Sequence, residues 1–529
     1  MAEPGFKDAS VASTASVAAL ILLWLAATAW ARPLMLPDEG RYVGVAWEML
    51  RSGAWLVPTL DGLPYFHKPP LLYWITAGSM WLFGLNEWAA RAAPIFGAWL
   101  GAFAIYLFTR RWCSERAARI GVVVLLAQPL FYLGGQFANL DMLVAGFITA
   151  TVLLLADAAL CVERAQPCRR ALAAAYAMAA LGVLAKGLIG AVIPALVVTA
   201  WLAGRGRWRT LAALLWWPGV VVFVALVVPW FVMMQRRFDD FLDYFIVVQQ
   251  FRRFAQSGFN NVQPFWFYPV LLLVLSLPGL PWLLRAVQPG PAQEPQQEPI
   301  RWLMVTWVAT VVIFFSLPRS KLVGYVLPAV PPLAWLMVDG FASLGNVSAR
   351  ARRLWLAGVV LSASVGIGVV AVLTWRPLPS SRALGAVLAQ QREPGHAVVM
   401  LGRYDFDLPF YARLREPMIV VDDWASAEVG KHDNWRKELA DAGRFDPAAA
   451  GRVLILPVSL QARLCLSPVT WVVGDAADAQ RYPILATAPV VVGPGASTLW
   501  RIDRAAPGIA ADLRCNPTFP TEPAPPQRR

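Results

Sequence analysis

The sequence predicts a polytopic α-helical membrane protein of about eleven transmembrane helices, followed by a small α/β domain. Three observations carry that prediction. Of 529 residues, 58% are hydrophobic and only 15% charged, and mean hydropathy is +0.53; a soluble domain of this size needs more charge to cover its surface. Apolar runs long enough to cross about 30 Å of hydrocarbon recur through the first 375 residues. Beyond residue 376 the pattern changes to short β-prone runs between polar stretches.

The apolar runs fall at 11–31, 89–109, 117–133, 142–161, 171–184, 188–202, 211–234, 265–284, 302–316, 322–338 and 354–375. The run 71–83 is shorter and Trp-rich, which suits a helix lying in the membrane interface. The 25 Trp and 42 Pro fit a bilayer protein, with aromatics at the interfaces and Pro tolerated between neighbouring helices. The first run passes into a polar loop without a small-residue cleavage site, so it reads as a retained helix.

Orientation follows from the short loops. Arg110, Arg111, Arg116 and Arg119 form one cluster, and Arg164, Arg169 and Arg170 a second. Arg205, Arg207 and Arg209 form a third, and Arg350, Arg352 and Arg353 a fourth. If the runs are spans, all four lie on one side, which makes that side cytoplasmic. The stretch 288–298, rich in Pro, Gln and Glu, reads as a flexible linker on the same side. An odd number of spans then puts the C-terminal region in the periplasm. The net charge of +13 is spread over loops flanking spans, which excludes a basic nucleic-acid-binding domain.

Two regions are therefore expected: a transmembrane domain over 1–375, with a large first external loop at 32–88, and an α/β domain over 376–529. The β-prone runs of the second lie at 397–401, 418–421, 453–457, 471–474 and 498–502, with a helix-compatible stretch at 428–442. Cys465 and Cys515 both fall there and could pair in an oxidising compartment, although spacing alone does not bring them together. No CxxC pair occurs among the five Cys, so neither structural zinc nor a thioredoxin-like centre is indicated. The Pro-rich stretch after Pro517 reads as a disordered tail.

Several charged residues need explaining. Asp38 and Glu39, in Pro37-Asp38-Glu39-Gly40-Arg41-Tyr42, follow the first span and are flanked by apolar residues. Lys68 precedes Pro69-Pro70, which fixes the backbone and holds the ammonium near the interface. Asp141 opens the fourth span on the same side; an acid there is costly and points to function, although Asp at a helix start also serves as a cap. Two acids and a Lys at one membrane face could bind a phosphate and position an acceptor. Arg236, Arg237, Arg252, Arg253, Arg319 and Lys321 add cations to that external face, against the positive-inside trend, as an anionic ligand at the outer leaflet would explain. Lys186 and Tyr325 could belong to the same face, or be a snorkelling end and an interfacial ring.

These segments together resemble the bacterial lipid A aminoarabinose transferases, relatives of the protein O-mannosyltransferases with the GT-C membrane fold. The longest match runs through Asp38-Glu39-Gly40-Arg41-Tyr42, Gly53-Ala54-Trp55-Leu56-Val57-Pro58 and Leu63-Pro64-Tyr65-Phe66-His67-Lys68-Pro69-Pro70. Leu140-Asp141, Lys186-Gly187, Arg253-Phe254, Pro264-Phe265-Trp266 and Ser320-Lys321-Leu322 with Tyr325 follow in order. The resemblance implies an inverting transfer of a sugar from undecaprenyl phosphate to a lipid A phosphate in the periplasm. It implies Asp38 and Asp141 in the catalytic centre, Lys68 and Arg253 at the donor phosphate, and Tyr65, Lys321 and Tyr325 lining the cavity. Glu39, Arg41 and Tyr42, within the same motif, are candidate substrate-binding residues. An acceptor phosphate is already ionised, so Asp38 would position a substrate or meet its ammonium; a hydroxyl acceptor would need Asp38 as base.

The sequence also departs from the family. Where the family associates a bound metal with Glu and a Glu-His pair, this chain has His67, Gln249 and Gln250. His67 is the single candidate ligand left, and one imidazole makes a weak site for a divalent metal. The expected partners are an undecaprenyl-phosphate-linked sugar, lipid A or another periplasmic acceptor, and membrane lipids. Hexose or hexosamine transfer to protein or another surface glycan is the alternative within enzymes. A lipid-linked-sugar transporter is the alternative outside them, yet transporters place charges near the midplane and repeat broken helices.

Overall fold

The computed structural model describes residues 13–252, 261–286, 297–344, 348–493 and 497–515, with the side chains of 250–252 excepted. Arg253, most of the 288–298 linker and the tail after Pro517 lie outside the described residues. The chain forms two compact units, Met1–Pro33 with His67–Pro377, and Leu34–Phe66 with Leu378–Arg529. The segment expected as a loop of the membrane domain is thus divided, and its larger part joins the C-terminal unit.

Among the described residues of the first unit, six helices are long and apolar enough to cross a membrane: Ala92–Trp112, Leu140–Glu163, Trp217–Arg237, Glu298–Ser316, Val323–Ala342 and Ala349–Trp375. Two bent pairs bring the number to eight. Glu115–Ala127 and Pro129–Gln136 meet at 67°, Phe267–Leu275 and Leu277–Ala286 at 69°; Pro129 and Pro278 sit at these breaks, where a missing N–H interrupts the helical ladder. Thr14–Ala26, Leu71–Phe83 and Ile189–Gly204 are shorter apolar helices.

Leu140–Glu163 is the most enclosed of the long helices, with 89% of its apolar window buried. It crosses Ala92–Trp112 backbone to backbone: a Cβ on Gly146 would meet Gly97 O at 2.1 Å. Small residues permit this approach where lipid gives no hydrophobic drive for helix association. Two of the Arg clusters are also paired. Asp157, buried, accepts from Arg111 at 2.9 Å and from the Trp112 indole at 2.8 Å, and Glu163 accepts from Arg205 at 3.1 Å.

The second unit is built on a six-stranded sheet in the order β5-β4-β3-β6-β8-β7. Its strands are β3 (Ala397–Leu401), β4 (Ile419–Val421), β5 (Leu454–Ile455), β6 (Val469–Gly474), β7 (Val490–Val492) and β8 (Thr498–Asp503). β5, β4, β3 and β6 run parallel; β8 and β7 close the sheet antiparallel. β6 is buried at every position, as a strand covered on both faces should be. Cys465 and Cys515 form a disulfide beside the core of Leu464, Leu485 and Leu513.

Leu34–Phe66 contributes the helix Asp38–Ser52 and a hairpin of β1 (Thr59–Leu60) and β2 (Leu63–Pro64). Asp61 and Gly62 turn the hairpin with φ of 54° and 77°, the left-handed pair that a two-residue turn requires and Asp-Gly supplies. Buried Glu48 accepts from the Thr59 hydroxyl and from the Asp61 and Gly62 N–H groups. Backbone N–H groups help tie this segment to the rest of the unit. Asp61 accepts from the Met418 N–H at 2.8 Å, Leu36 N–H donates to Pro379 O at 3.0 Å, and Leu34 N–H donates to the Tyr411 hydroxyl at 2.7 Å.

Candidate active site

In the membrane unit, Asp141 lies in the first turn of its helix, but Asn139 is the cap: its side chain accepts from Met142 N–H at 2.8 Å. The Asp141 carboxylate is therefore free of capping duty, and it pairs with Lys186, the last residue of the helix Arg169–Lys186. The Lys186 ammonium lies 4.4 Å from the centroid of the Tyr325 ring, a favourable position for a partly desolvated cation. Tyr325 stands on the 3₁₀ turn Val323–Ala329, where Gly324 abuts the Asp141 side chain. Three candidates from separate stretches, Asp141, Lys186 and Tyr325, are thus brought together.

Lys321 is 97% buried, since only 3% of its surface is exposed. Its ammonium donates to Gln263 O at 2.9 Å and to Pro318 O. Burial pushes its pKa below the usual lysine range. Lys68 is half-buried just before the Leu71–Phe83 helix. The His67 ring lies 5.9 Å from the Tyr244 ring, whose hydroxyl pairs with the Gln249 amide at 3.0 Å. Among the described residues no three His, Cys, Asp or Glu side chains converge to hold a metal. Gln249 gives only its amide nitrogen to Tyr244; one imidazole and a neutral amide oxygen make a poor donor set for a divalent ion, and no step is routed through one.

In the α/β unit, Asp38 is half-exposed at the start of its helix and pairs with Arg41. Glu39 is buried and reaches back to accept from Met35 N–H at 3.0 Å, securing the helix entry. Arg41 also pairs with Glu438, whose other carboxylate oxygen accepts from the Tyr65 hydroxyl at 2.9 Å. The Arg41 guanidinium lies 5.5 Å from the Tyr42 ring centroid and 5.6 Å from that of Phe406. One carboxylate thus holds two of the candidate binding residues. Glu438 carried no motif in the sequence; it is one of four acids on the 428–442 stretch, with nothing local to single it out.

Against known proteins, residues 67–233 match the family model described as dolichyl-phosphate-mannose-protein mannosyltransferase. A curated undecaprenyl phosphate-alpha-4-amino-4-deoxy-L-arabinose arabinosyl transferase from Erwinia tasmaniensis is 33% identical over 344 residues, covering 65% of this chain and 61% of the relative. The same-named protein of Pectobacterium atrosepticum is 31% identical over 379 residues, with 70% and 65% covered. The chain is similar to the aminoarabinose transferases over about two thirds of its length. It spans less than two thirds of the length of these curated relatives. ArnT from Cupriavidus metallidurans, in a crystal structure bound to undecaprenyl phosphate, superposes with a TM-score of 0.75 at 24% identity, covering 95% of this chain and 98% of that one. The aminoarabinose transferase fold, of GT-C type, therefore runs through both units, and the chain is a multi-pass membrane protein.

Proposed function

We propose that this protein transfers an aminosugar, 4-amino-4-deoxy-L-arabinose, from undecaprenyl phosphate to a phosphate of lipid A at the periplasmic face of the inner membrane. The observation that carries the reading is the Asp141–Lys186 pair under the Tyr325 ring, an acid and a cation at one end of two membrane helices. Such a pair suits a reaction whose donor bears a phosphate and whose sugar bears an amine. Its setting in a fold shared with a protein solved with undecaprenyl phosphate supports the donor class. The bond from the sugar's anomeric carbon to the carrier phosphate breaks as that carbon bonds to an acceptor phosphate oxygen, with inversion. Undecaprenyl phosphate leaves as an anion, and cations stabilise it. Asp38 and Asp141 serve the catalytic centre, with Lys68 and Arg253 at the donor phosphate. Glu39, Arg41, Tyr42, Tyr65 and Tyr325 shape the substrate surfaces.

Eleven spans, counting Thr14–Ala26, Arg169–Lys186 and Ile189–Gly204 and leaving Leu71–Phe83 in the interface, would put the Arg clusters in the cytoplasm and the α/β unit in the periplasm. A second reading is favoured by the mannosyltransferase family model: transfer of a hexose or hexosamine to a hydroxyl of a protein or another glycan, with an Asp taking the proton. Mass spectrometry of lipid A from cells with and without the gene, and with Asp38→Asn and Asp141→Asn, tests both. A pentosamine mass that vanishes in all three supports the first reading. Unchanged lipid A with a lost protein or glycan modification supports the second. A lipid-linked sugar that changes sides without leaving its carrier would make the protein a transporter.

A further inference from the structure

Lys321 presents a physical problem. Its ammonium is buried, and its partners among the described residues are carbonyl oxygens, Gln263 O and Pro318 O. A desolvated cation without an opposite charge is costly unless the surrounding hydrogen bonds serve some end. These two carbonyls belong to two separate stretches of chain. Between them lies one antiparallel bridge, Val262 to Ser320, with Lys321 N–H donating to Asn261 O at 3.0 Å and Gln263 N–H to Arg319 O at 3.1 Å. Two backbone bonds are too few to hold strands together alone. The ammonium's bond to Gln263 O crosses between the stretches and, being charge-assisted, counts for about as much as the two backbone bonds together, while its bond to Pro318 O closes the turn itself.

The turn so fastened leads directly to the candidate centre. Leu322 O accepts from the Tyr268 hydroxyl at 3.0 Å. Gly324 then meets Asp141, and Tyr325 covers Lys186. We propose that Lys321 is a positioning residue: its ammonium clamps the 318–321 turn to residues 261–263 and so fixes Gly324 and Tyr325 against the Asp141–Lys186 pair. The inference rests on that pair belonging to the transfer centre, and it gives Lys321 a role distinct from lining the substrate cavity.

The arrangement supplies its own test. Val262 and Ser320 are opposed as a non-hydrogen-bonded pair, the closest kind across antiparallel strands, so a disulfide there can replace the clamp. The full-length protein in nanodiscs is assayed with undecaprenyl-phosphate-linked aminoarabinose and lipid A. K321M is expected to lower kcat about tenfold, with donor KM changed less than about threefold. K321R should recover most of the loss. In the K321M background, V262C/S320C should restore turnover when oxidised and lose it again on reduction, relative to wild type under the same reductant. A second readout needs no activity: the V262C/S320C disulfide should form several-fold faster with Lys321 than with K321M. A tenfold rise in KM with kcat intact, and no rescue by the disulfide, would overturn the proposal in favour of a direct phosphate contact. If wild type transfers nothing, the functional reading fails, and the disulfide formation rate still decides whether the clamp exists.

Discussion

Gly324 leaves no room for a side chain beside Asp141: a Cβ there would lie 2.3 Å from Asp141 Oδ2 and 2.8 Å from its Cβ. Gly324→Ala must displace the carboxylate or the turn. A shift of about 1 Å can cost on the order of 100-fold in rate, so turnover should fall by at least tenfold while the protein still folds. Gly78, with open space around it, serves as the control; equal losses in Gly324→Ala and Gly78→Ala would reject the steric account.

The Asp141–Lys186 pair is mostly enclosed, at 19% and 12% side-chain exposure. Removing one partner strands the other's charge at a cost of about 3–5 kcal/mol. Lys186→Met should therefore lower the apparent unfolding temperature in detergent, and Asp141→Asn in the same chain should recover part of it. Additive losses would mean that the two residues act separately.

Packing in the α/β unit depends on a different glycine pair. Gly40 and Gly44, one turn apart in the Asp38–Ser52 helix, face the backbone of Phe406 and Asp407; added methyls would lie 2.7 Å from Asp407 N and 2.8 Å from Phe406 O. Gly40→Ala and Gly44→Ala are each expected to loosen the helix, seen as faster tryptic cleavage at Arg41 and Arg51. Unchanged cleavage would show that the helix can shift without cost.

Buried Asp407 accepts from the Ser381 N–H and the Ser380 hydroxyl, both at 2.8 Å. Burial raises its pKa to about 6. Because the folded-state value is raised, the group favours the fold below its unfolded pKa of about 4, and that contribution is lost as pH climbs towards 6. Two pH units correspond to roughly 3 kcal/mol. Asp407→Asn keeps an acceptor for Ser381 and should raise thermal stability at pH 7.5, with the gain shrinking near pH 4.5. A gain independent of pH would point to packing instead.

The disulfide spans 50 residues, which in the loop-entropy account stabilises by roughly 4 kcal/mol. Cys465→Ser should destabilise the α/β unit by an amount of that order, with thiol reduction doing the same to wild type. Alkylation of intact cells before lysis gives a second result. Cys465 and Cys515 should resist the reagent if the unit faces the periplasm, and react if it faces the cytoplasm.

Much of this architecture was legible. All five β-prone runs became strands, because β-branched runs bounded by turn residues have few other uses. The 117–133 and 265–284 runs became bent pairs at Pro129 and near Pro278, both visible in the sequence. Asp141 stood out as an acid opening an apolar helix, but its partner did not: Lys186 read more readily as a snorkelling helix end. The assignment of 34–66 to the C-terminal unit was hidden for a different reason. It depends on pairs such as Arg41 with Glu438 and Asp61 with Met418, which local periodicity cannot register. Arg253 lies outside the described residues, so its proposed place at the donor phosphate rests on the motif.

The divided path of the α/β unit also sets a schedule for its birth. Asp61 and Met418 are 357 residues apart, and a ribosome adding about 5–20 residues per second needs roughly 20–70 s to cover that distance. During this interval the helix and hairpin of Leu34–Phe66 have emerged, while Arg41 and Tyr65 still await Glu438. Nascent chains are thus exposed to proteases longest at their first polar segment. A premature stop between residues 378 and 418 would release the membrane unit without the sheet, with that segment permanently stranded and marked for degradation.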